Sequence, residues 1–171
     1  MHNNVISSIF NELQENNILC LRFNFRGVGK SSGMHSGVNG ELADVRTCID
    51  YLTNENFDKI LICGYSYGAA IGCSLVNYSE RVIGFCAISF PWDFMGKEFK
   101  ESTQTSKPKL FIQGTRDNIA PFDRFEFYYD SYKKPKSKFI IEGADHFYWG
   151  YESKISQEVL KFTKNQFGII P

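Results

Sequence analysis

Three residues that together can activate a serine hydroxyl stand at separate points along the chain. Ser66 is the central residue of GYSYG, Asp117 lies in GTRDNIAPF and His146 lies in GADHF. A serine hydroxyl is a weak nucleophile at neutral pH, so it needs a histidine to accept its proton. The histidine needs a carboxylate that fixes its tautomer. The three residues therefore predict nucleophilic catalysis, with Ser66 as nucleophile, His146 as base and Asp117 as acid.

The glycines that bracket Ser66 indicate a sharp turn from a strand into a helix. Such a turn exposes its central hydroxyl, and we expect Gly64 and Gly68 to relieve the crowding of the surrounding backbone. The residue after the nucleophile commonly donates its amide to an oxyanion hole, which predicts that role for Tyr67. A pentapeptide of this kind occurs by chance in roughly 5% of chains of this length. Its context must therefore support the interpretation.

Helical and strand-like patterns alternate along the chain, as they do in α/β proteins. The apolar spacing predicts helices over 2–16, 41–54, 66–78, 122–132 and 152–166, strands over 18–25, 59–64, 81–90, 109–114 and 137–143, and a glycine-rich loop over 26–40. We therefore predict a three-layer αβα sandwich with a mostly parallel sheet, in a single domain over 1–171. Ligands bind at the carboxyl ends of the strands in such sheets. Ser66, Asp117 and His146 each follow a predicted strand.

Two of these residues also have an ordinary structural explanation. Asp117 suits the N-cap of a helix, and His146 suits a loop histidine with satisfied hydrogen bonds. The chain order Ser, Asp, His and the placement after three different strands favour catalysis over these explanations.

Other titratable residues are weaker candidates. Asp93 follows another strand and is the alternative acid. We expect Asp123 to cap a helix and Asp145, beside His146, to be a turn residue. His35 lies in the glycine-rich loop, where we expect it to be solvated, and no partner can be named for His2.

The composition excludes several classes of function. The 171 residues carry no net charge, which argues against a nucleic-acid partner, and no apolar run approaches the roughly 20 residues of a membrane-spanning helix. The N-terminus does not resemble a secretion signal, and the five cysteines read as reduced core residues. We therefore expect a cytoplasmic protein. The absence of a cysteine or histidine cluster predicts no metal, and the chemistry of the three residues needs no cofactor.

Four motifs, in this order, resemble the α/β-hydrolase superfamily: RFNFRGVGKSSG (22–33), GYSYGA (64–69), GTRDNIAPF (114–122) and GADHF (143–147). The likeness is greatest to small uncapped bacterial serine hydrolases akin to dienelactone hydrolases and acyl-peptidase domains. It implies Ser66 as nucleophile, Asp117 as acid and His146 as base. Dienelactone hydrolases proper carry a cysteine where Ser66 stands. For Arg26, in the first motif, we expect an ion pair that holds the loop.

The chain departs from this family at its beginning. In the family, three strands precede the helix that here begins near residue 2, and a segment before that helix supplies the second oxyanion amide. The third of those strands lies between the strands that correspond to 18–25 and 59–64. Two hypotheses follow: the chain is part of a longer hydrolase, or these two strands pair directly in a reduced sheet. An exposed sheet edge would also favour a homodimer.

The substrate is predicted less sharply than the chemistry. Only 18 residues, 91–108, separate two predicted strands, too few for a helical lid, so we expect an open site for small acyl groups. Five aromatic residues are candidates for an apolar acyl pocket, with core packing as the alternative for each: Tyr65, Phe90, Trp92, Phe94 and Phe147. We predict hydrolysis of a carboxylic ester or thioester through an acyl-enzyme. Peptidase and dienelactone-type chemistry stay open, as does a weak or inactive truncated hydrolase that serves as a relic or a binding scaffold.

Overall fold

The computed structural model describes residues 2–93 and 97–169, and its centre is a parallel sheet of four strands. The strands are β1 (Ile60–Tyr65), β2 (Val82–Ile88), β3 (Lys109–Gly114) and β4 (Lys136–Ile141). Their order in the sheet follows their order in the chain. The carboxyl ends of all four strands therefore lie at one edge, where Gly64 pairs with Ala87 and Gly114 with Ile141.

Six helices accompany the sheet in the described part of the chain. They are α1 (Asn4–Glu15), α2 (Asn39–Asn54), α3 (Tyr67–Cys73), α4 (Lys97–Ser102), α5 (Phe122–Tyr129) and α6 (Glu152–Phe167). The short α4 lies in the segment for which no helix was predicted, and α3 and α5 end earlier than the spacing suggested. None of the described helices has both the length and the apolar character that a bilayer span requires.

Alternating side chains of the central strands build a core on each face of the sheet. Phe85, Ala87 and Phe111 point into one core with residues of α2, α3 and α5, whereas Cys86 and Ile112 point into the other with residues of α1 and α6. Strands that are covered on both faces need apolar residues at successive positions, as β2 and β3 have. This arrangement confirms the predicted three-layer α/β sandwich.

The predicted strand over 18–25 is wrong. None of these residues belongs to a strand, and the edge of β1 that faces away from β2 has no paired strand in the described structure. Ile18 and Cys20 pack against one core, whereas Leu19 is 81% exposed and Leu21 is also exposed. Phe23, on the same side as Leu19 and Leu21, is exposed as well, so the more apolar side of this segment is the less covered one. A strand also needs a neighbour for its backbone groups, so the hypothesis that 18–25 pairs directly with β1 is contradicted.

The cysteines are free thiols, but only two of them are core residues. Cys73 and Cys86 are buried, while Cys20, Cys48 and Cys63 are partly exposed.

Candidate active site

Ser66 occupies the turn between β1 and α3 with a strained backbone. Its φ of +53° lies in a region that non-glycine residues rarely adopt, and its amide donates to the Ile88 carbonyl. The neighbouring backbone passes so close that a Cβ on Gly64 would lie 2.5 Å from the carbonyl oxygen of Gly68. Gly64 is therefore needed, as predicted. Gly68 is not needed for the same reason, since a Cβ there would meet no atom within 4 Å.

His146 and Asp117 complete a hydrogen-bonded chain with Ser66. Nε2 of His146 lies 2.9 Å from Oγ of Ser66, and Nδ1 lies 2.9 Å and 3.0 Å from the two carboxylate oxygens of Asp117. The Asp117 side chain is fully buried and the imidazole almost so. Three predicted residues from the ends of three strands thus meet within hydrogen-bonding distance.

The surroundings of Asp117 keep its carboxylate charged. Burial alone would raise the pKa of Asp117, but hydrogen bonds from His146, Ser89 and the Ala120 amide outweigh burial and hold the pKa below its usual value. The Ile119 amide also donates to the carboxylate, at 3.0 Å. The predicted alternative of a helix N-cap does not apply, because Pro121 stands at the N-cap of α5.

Two tyrosines flank the nucleophile and point in different directions. The Tyr65 hydroxyl donates to the carbonyl of His146 at 2.7 Å, and the Tyr65 ring lies 5.3 Å from the imidazole. Burial raises the pKa of Tyr65 to about 12, so the phenol stays a donor. The Tyr67 hydroxyl donates to Gly37 in the glycine-rich loop. The Tyr67 amide is the first of α3, and the first amides of a helix have no acceptor within the helix.

The aromatic residues predicted for an acyl pocket separate into two groups. Phe90 and Trp92 are buried in the core, with ring centroids 4.8 Å apart, so packing explains their position. Phe147 is half exposed and its ring lies 5.8 Å from the imidazole of His146. Tyr65 supports His146, as described above. Phe94 lies outside the described residues.

The weaker candidates lie in other settings. Asp93 forms an ion pair with Arg124, and Asp145 accepts the amides of Phe147 and Tyr148 as the predicted turn residue. Asp123 lies in the first turn of α5 but is not its cap.

The two other histidines and Arg26 are described by their surroundings. His2 is exposed. His35 is not merely solvated, because its Nδ1 lies 2.7 Å from the buried Glu41 carboxylate. Arg26 makes the predicted ion pair, in which its guanidinium donates to the Asp44 carboxylate at 2.8 Å.

Three residues beside Asp117 were missed in the sequence. Ser89, Gln113 and Tyr148 are buried, and the first two donate hydrogen bonds to the Asp117 carboxylate. Ser89 directly follows β2 in the structure, but the predicted strand over 81–90 included it, so the rule about residues after strands did not single it out. Tyr148 stands two positions after His146, and its contact with Ser89 has no signal in the sequence.

Several known proteins are similar to this chain. An uncharacterized protein of Rickettsia prowazekii is 33% identical over 156 residues, which are 86% of this chain and 66% of that protein. An uncharacterized protein of Salmonella typhimurium is 25% identical, with 89% of this chain and 64% of that protein covered. The chain thus spans just under two thirds of the length of these curated relatives.

Solved structures share the fold. An alpha-beta serine hydrolase homologue from Coxiella burnetii has a TM-score of 0.85 at 28% identity, covering 95% of this chain and 77% of that one. An a/b serine hydrolase without lid from Xanthomonas campestris has a TM-score of 0.86 at 23% identity, covering 98% and 75%. The model of the alpha/beta hydrolase domain family matches residues 1–161. Together with the parallel sheet and the strained turn at Ser66, this match shows that the chain belongs to the alpha/beta hydrolase domain family.

Proposed function

We propose that the protein is a serine hydrolase that cleaves a carboxylic ester or thioester through an acyl-enzyme on Ser66. The observation that carries the proposal is the continuous hydrogen-bonded chain from Oγ of Ser66 through His146 to the buried carboxylate of Asp117. The family and its fold support a hydrolase. The solved structures of similar fold include an esterase from Pyrococcus furiosus, at 18% identity with a TM-score of 0.82.

In the proposed first step, His146 accepts the proton of Ser66 through Nε2 as Oγ attacks the carbonyl carbon of the substrate. The carbonyl oxygen becomes an oxyanion, for which we assign the Tyr67 amide as a donor. The imidazole is then positively charged, and the Asp117 carboxylate stabilises it across the 2.9 Å contact. When the tetrahedral intermediate collapses, His146 returns the proton to the departing alcohol or thiol, and the acyl group stays on Ser66.

In the second step, water replaces the leaving group. His146 accepts a proton from the water molecule as its oxygen attacks the acyl carbon, and the proton passes to Oγ when the carboxylic acid departs. The proton that leaves Ser66 thus goes to the oxygen or sulfur atom of the departing alcohol or thiol, and the proton that leaves water restores the Ser66 hydroxyl. The cycle needs no redox partner.

The residues around the imidazole favour a small, apolar acyl or leaving group. Phe147, whose ring lies 5.8 Å from the imidazole of His146, exposes about half of its surface. An exposed apolar side chain next to the reacting atoms contributes binding energy for an apolar substrate group. Cleavage of a peptide or a lactone uses the same steps with a different leaving group, and a substrate panel separates these cases.

The test is covalent labelling with a fluorophosphonate, followed by mass spectrometry of the intact and digested protein. We expect an adduct on Ser66 that is absent from Ser66→Ala and strongly reduced in His146→Ala. If Ser66 takes up the label, unlabelled protein from the same preparation is then assayed on matched short-chain esters, thioesters and a peptide. A folded chain that takes up no label would overturn the proposal and favour the alternative, an inactive hydrolase that serves as a binding scaffold.

A further inference from the structure

We propose that Ser89 and Tyr148 are positioning residues, which hold the Asp117 carboxylate in the orientation that accepts the Nδ1 proton of His146. This inference rests on the proposed function. It assigns a role in the reaction to two buried hydroxyl groups that do not touch a substrate.

The donors and acceptors of this network can be assigned one by one. Ser89 Oγ lies 2.6 Å from Oδ2 of Asp117 and 2.7 Å from the Tyr148 hydroxyl. An ionised carboxylate only accepts hydrogen bonds, so the single proton of the Ser89 hydroxyl points at Asp117. Tyr148 must therefore donate to Ser89. The Tyr148 oxygen in turn accepts the amide of Gly114 at 3.0 Å.

All protons in this network therefore point toward Asp117. The chain runs from the Gly114 amide through Tyr148 and Ser89 to Oδ2, and on the other side His146 donates to the same carboxylate. Burial raises the pKa of Tyr148, which keeps its phenol a neutral donor. Each hydrogen bond of such a chain polarises the next, so the effect of Tyr148 reaches Asp117 through Ser89.

The other carboxylate oxygen is fixed by the backbone. Oδ1 of Asp117 accepts the amides of Ile119 at 3.0 Å and Ala120 at 2.8 Å. Ser89 gives the shortest hydrogen bond to Oδ2, which Gln113 also contacts at 3.3 Å. Without Ser89, the carboxylate keeps its anchor at one oxygen and loses its closest donor at the other, so it can turn away from the imidazole.

The backbone of both residues is strained, which argues against simple packing. Ser89 has a φ of +46° and Tyr148 a φ of +55°. Side chains other than glycine rarely adopt such angles, because their Cβ crowds the neighbouring backbone. Both are also completely buried. A residue that only filled space would reach the same burial without this strain, whereas the two hydroxyls are aimed at one another and at Asp117.

The chain offers a matched pair of hydroxyls for comparison. Thr103 and Tyr132 are also buried, and their hydroxyl oxygens also lie 2.7 Å apart. Tyr132 lies beside Lys133, whose carbonyl is bound by Lys109 at the amino end of β3, far along the strand from Gly114 at its carboxyl end. Loss of either pair removes a buried hydrogen bond, but only one pair contacts Asp117.

The experiment compares Ser89→Ala and Tyr148→Phe with Thr103→Val and Tyr132→Phe. Steady-state kinetics on 4-nitrophenyl acetate and unfolding in urea are measured for each variant. We expect kcat to fall about tenfold in Ser89→Ala and about threefold in Tyr148→Phe, with KM within about twofold, because a hydrogen bond to a charged group is lost or weakened. The two control variants should lose a similar amount of stability and keep their kcat.

A double variant separates positioning from structure. Combined with Asp117→Asn, Ser89→Ala should lower the remaining kcat by less than about twofold, since the group that it positions is gone. If Ser89→Ala lowered kcat about tenfold in the Asp117→Asn protein as well, the inference would be overturned. It would also be overturned by kcat values of Ser89→Ala and Tyr148→Phe that match the controls.

A spectroscopic measurement tests the positioning of Asp117 without requiring catalytic turnover. The proton between Nδ1 of His146 and Asp117 gives a low-field ¹H resonance, which should move in Ser89→Ala and Tyr148→Phe and stay in place in Tyr132→Phe. An unmoved resonance would contradict the inference. A different outcome separates the two proposals. If the wild-type protein is inactive and takes up no label, but the resonance still moves in Ser89→Ala and Tyr148→Phe, the proposed hydrolase is refuted and the positioning of Asp117 is retained.

Discussion

A charged side chain is buried near each end of strand β3, and the surroundings of the two side chains have opposite effects on the charged form. Beyond the carboxyl end, Asp117 is surrounded by donors, one of which, His146, can carry a proton. At the amino end, Lys109 is 1% exposed, and its ammonium donates to the carbonyls of Lys133 and Pro135. In the described structure no carboxylate forms an ion pair with it.

The pKa values of Asp117 and Lys109 reflect the difference between their surroundings. Hydrogen bonds hold the pKa of Asp117 below its usual value despite burial, so its charged form is favoured. Burial, and then the nearby Lys136, lower the pKa of Lys109 to about 8, so its charged form is disfavoured. A buried charge is thus not by itself a sign of a functional site. What marks the carboxyl end is a buried charge with a titratable partner that also reaches a nucleophile.

The largest effect is expected for Asp117→Asn. The amide cannot accept the imidazole proton in the same way, so the histidine takes the wrong tautomer, and kcat should fall by about 10⁴. Initial rates on an activated ester measure the loss. Asp93→Asn is the matched control, because that carboxylate pairs with Arg124, and its activity should stay within twofold. Equal losses of activity in the two variants would show that the reaction depends on Asp117 no more than on Asp93.

A second comparison uses one glycine from each end of the sheet. A Cβ on Gly64 would press on Gly68 and Ala69 beside Ser66, and one on Gly84 would press on the Pro108 carbonyl before β3. Either alanine variant should lose about 3 kcal/mol of unfolding free energy through overpacking.

Only Gly64→Ala should also slow fluorophosphonate labelling of the folded protein, because the displaced backbone carries the nucleophile. Labelling rates are measured well below the unfolding transition of both variants. A labelling defect of the same size in Gly84→Ala would mean that strain anywhere in the sheet disturbs the site.

The smallest expected effect concerns the pH dependence of stability at Lys109. Its pKa in the folded state, about 8, lies below the ordinary lysine value of 10.5 that applies to the unfolded chain. The unfolded state therefore binds more protons between these values. The contribution of Lys109 to stability rises with pH across that window and is constant below it.

Urea unfolding of the wild type and of Lys109→Met at pH 7.5 and 9.5 measures this contribution. The difference in unfolding free energy, wild type minus variant, should rise by about 2 kcal/mol between the two pH values. Thiols and phenols that titrate in the same range cancel in this difference. A flat or falling difference would show that the ammonium is not disfavoured in the folded protein.

Much of the site was predictable because its three residues obey a rule about strand ends. Ser66, Asp117 and His146 follow strands whose continuous apolar residues mark them as buried, and parallel strands end at one edge. Ser89 was missed because the predicted strand over 81–90 extended past it, whereas β2 ends at Ile88. Its role appears only once its distance to Asp117 is known.

The segment 18–25 shows why a strand-like run of apolar residues is insufficient to define a strand. Leu19, Leu21 and Phe23 are exposed, whereas Cys20, on the opposite side, packs against a core. The sequence of the segment contains no information about whether another strand lies within hydrogen-bonding distance. In a similar way, the aromatic character of Phe90 and Trp92 could not distinguish a pocket wall from the core.

Because Ser66, Asp117 and His146 follow different strands of one sheet, their contacts depend on the register between neighbouring strands. Adjacent residues of a strand lie about 3.3 Å apart, which is more than the 2.9 Å that joins Ser66 to His146. A slip of β1 or β4 by one residue along its neighbour would therefore separate these two atoms. It would also exchange the faces to which the side chains of that strand point, while the hydrogen bonds within the helices stay intact. During refolding, recovery of fluorophosphonate labelling would then report correct strand alignment, an event that the recovery of helical circular dichroism does not detect.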